Sequence, residues 1–178
     1  MGFTFAEISH QDLGPISFAA GDQGLCCVSF QPLAELKNRM PFQDTEPSFA
    51  GFEVIKAVLV SVEGYFSGDL EEFEIKINWG GMSSFQKQVL DITMSIPYGS
   101  LMTYGEIARI LNKPGAARSV GNALGSNPMP IIIPCHRLVG SDGKLRGYSG
   151  GLFRKKFLLE LEGHRIEADR VITKTGTK

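Results

Sequence analysis

Cys135 is the residue in this sequence best suited to making a covalent bond. It follows the apolar run Ile131-Ile132-Ile133 and Pro134, and it precedes His136 and Arg137. A thiolate is a far stronger nucleophile than a thiol, and a neighbouring base or positive field makes it easier to form. His136 can be that base, and Glu162 can orient its ring. Adjacent residues in an extended chain point to opposite sides, so direct Cys135–His136 contact requires a turn, helical geometry or a bridging water. Cys26 and Cys27 lie side by side in a strand-like segment and read as small buried hydrophobes. Three cysteines without framework spacing argue against a disulfide scaffold. Three histidines and no Cys-x-x-Cys leave no zinc site to expect.

Something must hold these residues in place. Ser83-x-x-Gln86 is a capping-box pattern and opens a helix to about Ser95. Ile96-Pro97-Tyr98-Gly99 breaks it. Thr103-x-x-Glu106 is a second capping box, opening a helix to about Leu111. Asn112-Lys113-Pro114-Gly115 is a tight turn, and Ala116–Leu124 is a third helix. Two short helices about a four-residue turn form a helix-turn-helix, a shape found both on and off DNA. Ile131–Ile133 reads as a buried strand-like run. Gly147-Tyr148-Ser149-Gly150-Gly151 is a glycine-rich loop. A last helix runs from about Leu152 to Leu161 and ends at Glu162-Gly163, with Lys155 and Lys156 on its solvated face.

Ahead of Gly80-Gly81, which reads as a linker, the character differs. Ile16–Ala20 and Leu25–Phe30 read as strands joined at Gly21-Asp22-Gln23-Gly24. Residues 41–48 are a polar loop whose Ser48 caps a helix. Phe52, Ile55, Leu59, Val62 and Phe66 repeat at helical spacing. Phe73, Ile75, Ile77 and Trp79 alternate with polar residues, as in a half-buried strand. The segmentation is therefore 1–80, 81–170 and a tail, 171–178, disordered from Lys174 on. The net charge of −1 hides an asymmetry: residues 1–99 hold 5 basic and 13 acidic side chains (−8), and residues 100–178 hold 13 and 6 (+7). A basic C-terminal half suits a polyanion. Hydrophobic content of 43% is ordinary for a globular protein, and no apolar run nears the roughly 18 residues of a membrane span. The N-terminus lacks a secretory pattern, which points to the cytoplasm, or to the nucleus in a eukaryote.

The run Ile133-Pro134-Cys135-His136-Arg137, then Gly147–Gly151, then Glu162-Gly163-His164, resembles the O6-methylguanine-DNA methyltransferase family. The likeness begins at Phe85-Gln86 and passes through Ile96–Gly99, Thr103–Ala108, Ala116–Gly121 and Asn127-Pro128. It covers about residues 80–166. It implies an α+β or α/β chain: a small N-terminal ribonuclease-H-like domain and a mostly helical C-terminal domain with a winged-helix-like helix-turn-helix.

The resemblance also implies roles. Cys135 would accept the alkyl group, His136 would deprotonate it through a water, and Glu162 would orient His136. Tyr104 would donate a proton to the leaving base. Asn127, Leu138, Tyr148, Ser149 and Gly150 would surround the substrate, with Asn127 as a hinge. Thr103, Tyr104, Ala116, Ala117, Arg118, Gly121 and Arg137 would meet DNA, with Arg118 filling the gap left by a flipped nucleotide. The partner would be duplex DNA carrying O6-alkylguanine or, less readily, O4-alkylthymine. No metal or cofactor, no membrane and no second subunit is implied. The product is a thioether, so each molecule would act once. Two rivals remain: a lesion binder of the same fold without transfer, and a cysteine hydrolase using Cys135, His136 and Glu162.

Overall fold

The structure, a computed structural model, describes residues 2–40 and 46–172. Part of the polar loop 41–48 and most of the expected tail lie outside the described residues. The chain divides into two compact units: Met1–Met82 with Pro128–Ile132, and Ser83–Asn127 with Ile133–Lys178. The protein is α+β. No helix among the described residues is long and apolar enough to cross a membrane.

In the first unit, β1 (Phe3–His10), β2 (Gly14–Gly21) and β3 (Gly24–Ser29) form an antiparallel meander in that order. A bulge at Ala19/Ala20 shifts the β2–β3 register. β1 was not expected; Phe3 and Phe5 alternate with Thr4 at its start, but Ile8 falls out of that phase. A short helix, α1 (Leu33–Arg39), follows. The long α2 (Phe49–Ser67) starts at Ser48, whose side chain accepts the Gly51 N–H, and stops at Gly68 with φ 80°. Its buried side chains are Ile55, Val58, Val62 and Tyr65, so the inward face is rotated from the expected one, and Phe52 is exposed. Gly51 is needed where α2 meets β2: a Cβ there would lie 2.9 Å from the Ala20 carbonyl oxygen.

Phe73–Trp79 does not form a strand. It touches β3 through a single bridge, with Leu25 N–H donating to Lys76 O at 2.8 Å and Asn78 N–H to Leu25 O at 2.9 Å. The rest of that edge is taken elsewhere, since Val28 N–H donates to Pro128 O at 2.8 Å. Two separate segments share the edge of β3, so neither builds a ladder.

In the second unit, Ser83 caps α3 (Ser84–Met94) by accepting the Gln86 N–H. The Gln86 amide does not return to Ser83; it donates to Ser126. Thr103 and Glu106 form the complete reciprocal box at α4 (Tyr104–Ile110). Asn112, at φ 56°, ends that helix in the left-handed region, which asparagine tolerates. α5 (Ala117–Gly125) packs against both earlier helices. Val89, Leu90, Ile107, Ala108, Val120 and Leu124 are buried on these helices. A two-residue parallel pair, β4 (Met102–Thr103) with β5 (Leu138–Val139), joins the start of α4 to the segment after Arg137. α6 (Leu152–Leu161) leads to a hairpin, β6 (Arg165–Glu167) and β7 (Arg170–Ile172), turning at Ala168 and Asp169 with φ 45° and 57°. Val139, Leu145, Leu159, Ile166 and Val171 form a core there.

Candidate active site and nucleic-acid interface

Prolines shape the approach to Cys135. Ile131–Ile133 is buried, yet Ile131 and Ile132 form a turn and Ile133 makes only an isolated bridge, with Ile131 at φ 76°. Pro134, at φ −79° and ψ 58°, sits between the Ile133 carbonyl and the Cys135 N–H, which bond at 2.7 Å. That is an inverse γ-turn, and proline's fixed φ favours it. A single 3-10 turn, Cys135–Arg137, follows. It supplies the local winding that an extended chain would have denied to Cys135 and His136.

All three residues of this turn are buried. Asn127 reaches across from the end of α5: its Nδ2 donates to Ile133 O at 3.0 Å and to Cys135 Sγ at 3.1 Å. The amide therefore fixes both the backbone before the sulfur and the sulfur itself. Burial pushes the Cys135 thiol up, while the Asn127 hydrogen bond and the charge of Lys155 act the other way. A hydrogen bond to sulfur and a nearby cation both favour the thiolate.

His136 Nε2 lies 2.9 Å from Glu162 Oε1. A carboxylate only accepts, so the ring proton sits on Nε2 and the lone pair of the neutral ring is on Nδ1. Burial lowers the His136 pKa, against the opposing pull of Glu162. The ring is thus neutral near neutral pH and able to take a proton. Burial alone would raise the Glu162 pKa, but hydrogen bonds and charge from His136 and Arg137 hold it at about 2.

Arg137, expected to face DNA, is turned inward. Its Nε and Nη2 donate to Glu162 at 2.9–3.1 Å and its Nη1 to Ile96 O at 2.5 Å. It is 4% exposed, and its fork is committed to the fold. The physical reason is the buried carboxylate, which needs a permanent cation beside it. Glu162 also accepts the Gly99 N–H, and Tyr98 Oη donates to Leu161 O, so Ile96–Gly99 clasps the end of α6.

Lys155 is the second correction. It is fully buried, not solvated, and its Nζ donates to Leu138 O at 2.5 Å and Arg146 O at 3.1 Å. Burial brings its pKa down to about 8, with Cys135 pulling it back up. The signal was present in the sequence: Lys155 shares a helix face with Leu158 and Leu159, three and four residues on. Lys156 is half-exposed beside Glu160.

Beside the buried cluster lies a cleft of about 590 Å³ lined by Tyr104, Ala117, Arg118, Gly121, Asn122, Gly125 and residues 146–149. The cleft brings Tyr104, Ala117, Arg118, Gly121, Tyr148 and Ser149 together. Thr103 is spent on its capping box, Ala116 caps α5 without a side-chain bond, and the Gly150 carbonyl accepts from Arg154. Asn122, Gly125 and Arg146 were not foreseen. The Tyr104 pKa is raised to about 12 by burial and then by Cys135, with Arg146 opposing. Tyr104 thus keeps its proton and can donate it within reach of the sulfur's field. Among the described residues, no group of three His, Cys, Asp or Glu is placed to hold a metal ion.

A nucleophilic sulfur beside a cleft walled by a helix-turn-helix defines a class, and the comparisons agree with it. Residues 84–164 match the family model described as the 6-O-methylguanine DNA methyltransferase, DNA binding domain. The methylated-DNA–protein-cysteine methyltransferase of Methanosarcina acetivorans is 40% identical over 159 residues, covering 89% of this chain and 98% of its own. A crystal structure of Mycobacterium tuberculosis O6-methylguanine methyltransferase superposes with a TM-score of 0.75 at 36% identity, covering 94% of this chain and 96% of that one. One of Mycobacterium tuberculosis OGT in complex with DNA gives 0.72 at 38% identity, covering 93% and 96%. The chain belongs to the methylated-DNA–protein-cysteine methyltransferase family.

Proposed function

We propose that this protein repairs DNA by moving an alkyl group from O6 of guanine in a duplex onto Cys135, irreversibly and once per molecule. The observation that carries this reading is the sulfur of Cys135, held by Asn127 at 3.1 Å beside the His136–Glu162 pair and a cleft of about 590 Å³. In this reading α4 and α5 approach the minor groove, the damaged nucleotide swings out, and Arg118 fills the gap at a cost of a few kcal/mol for unstacking. Tyr104, Tyr148, Ser149 and Gly150 surround the base, and backbone groups of Cys135 and Leu138 read its edge. Leu138 O already accepts from Lys155 and keeps one lone pair for that purpose.

The Cys135 proton passes through a water to His136, whose ring Glu162 orients. The sulfur then attacks the alkyl carbon in line, a C–S bond forms, and the C–O6 bond breaks with its electron pair going to the base. Tyr104 gives that base a proton, and Lys155 favours the sulfur anion beforehand. The thioether has no leaving group and no route back. The work belongs in the cytoplasm, or the nucleus of a eukaryote, on duplex DNA, by a monomer that needs no cofactor.

Incubation with a duplex carrying O6-methylguanine tests the reading. Mass spectrometry is expected to find one added CH2 on Cys135, and none in Cys135→Ser. Tight lesion binding with unmodified Cys135 would favour a binder without transfer. Repeated turnover on an ester or peptide would favour a hydrolase.

A further inference from the structure

The cleft wall carries a cation that the roles above leave unused. α5 has one charged residue, Arg118. Arg146 also lines the cleft, so the lining holds two cations and no carboxylate. Arg146 is anchored at both ends. Its carbonyl accepts from the buried Lys155, and its Nη2 donates to both oxygens of Asp142 at 2.9 Å. Asp142 is itself tied by accepting the Lys144 N–H. The pair lies over Gly140, where a Cβ would fall 2.5 Å from Asp142 Oδ1 and 2.6 Å from Arg146 Nε. A side chain at 140 and this ion pair exclude each other.

An ion pair that is 52% and 39% exposed contributes little to stability. Its effect is to hold an arginine in one orientation. Nη2 of Arg146 is engaged by Asp142 and Nε lies over Gly140, which leaves Nη1 to donate to a ligand. A charged N–H donor held in one orientation suits an oxygen of a phosphate. Phosphate contacts set the register of a protein on a duplex, and a base held in this cleft carries its own phosphates to the rim.

We propose that Arg146 is a DNA-backbone anchor. Its Nη1 takes a phosphate of the strand that carries the displaced nucleotide, and Asp142 is the positioning residue that aims it. This rests on the function proposed above, but its test does not depend on transfer taking place. Affinity for an undamaged duplex is measured against salt concentration for the intact protein, Arg146→Ala and Arg146→Lys. Alkylation of Cys135 is measured in parallel with an O6-methylguanine duplex and with the isolated base O6-benzylguanine, which has no phosphate.

Loss of one phosphate contact lowers the slope of log K against log salt by about 0.9, so between 50 and 200 mM salt the native protein should lose about 3.5-fold more affinity than Arg146→Ala. Arg146→Lys should restore the slope but not the full affinity. Reaction with the isolated base should fall by less than reaction with the duplex. An unchanged slope in Arg146→Ala overturns the proposal. So does an equal slowing with duplex and isolated base, which would place Arg146 on the base and not the backbone. If the native protein alkylates itself with neither substrate, the transfer reading fails while the slope still decides the anchor.

Discussion

Replacing Glu162 with Gln removes a charge around which the buried cluster is arranged. The carboxylate accepts from His136 Nε2, from Arg137 Nε and Nη2, and from the Gly99 N–H. Two routes give the size of the loss. Its pKa is about 2 against an ordinary 4.5. At about 1.4 kcal/mol per unit, that gap corresponds to roughly 3 kcal/mol of stability at neutral pH. Independently, Arg137 is 4% exposed. Stripping the partner from a buried cation costs about 3–5 kcal/mol. Urea unfolding at neutral pH should therefore show Glu162→Gln less stable by about 3–4 kcal/mol. The folded carboxyl titrates below the unfolded one. Its contribution is complete above about pH 4.5 and is lost as pH falls toward about 2. The variant should lack that decline. Adding Arg137→Met should recover part of the stability, because a neutral pair leaves no buried charge unmatched. A loss under about 1 kcal/mol, the range of an exposed pair, or an acid decline identical in the two proteins, would refute the reasoning.

Other outcomes follow from neighbouring contacts. Lys155→Met should slow alkyl transfer; as the Lys155 ammonium loses its proton near pH 8, the native pH–rate curve should flatten while the variant's keeps rising, and superimposable curves would remove Lys155 from the chemistry. Asn127→Ala strips the donor from the Ile133 carbonyl and the Cys135 sulfur; it should cost about 1–3 kcal/mol in urea and slow labelling, and unaltered labelling would show that the sulfur does not need that bond. Thr103→Ala breaks the α4 capping box; a loss of about 1 kcal/mol is expected, and an unshifted urea midpoint would contradict it.

The parts legible in the sequence are those governed by neighbours along the chain. Ser48, Ser83 and Thr103 announced helix starts because a hydroxyl accepting a nearby N–H is a local event. Cys135, His136 and Glu162 were singled out by residue type and motif. What stayed hidden depends on residues far apart. The failure of Phe73–Trp79 to form a strand is decided by Pro128, which takes the Val28 N–H. The inward turn of Arg137 is decided by Glu162, 25 positions away. Lys155 was read as solvated and Arg137 as facing DNA, because burial of a cation is costly unless its partners are already in place. β1 carries a weak local signal, because Ile8 falls out of phase with Phe3 and Phe5. The hairpin β6–β7 turns at two non-glycine residues with positive φ, which its sequence does not signal.

The seclusion of Lys155 separates two responses of this protein to its surroundings. Dissolved ions weaken attraction between groups that face solvent, within a Debye length of about 10 Å at 0.1 M, and reach enclosed groups far less. The arginines that face the cleft answer to the medium, whereas the ammonium acting on the nucleophile is enclosed by protein. Ionic strength should therefore govern how often a duplex is captured and leave the speed of the committed step, at saturating duplex, nearly constant.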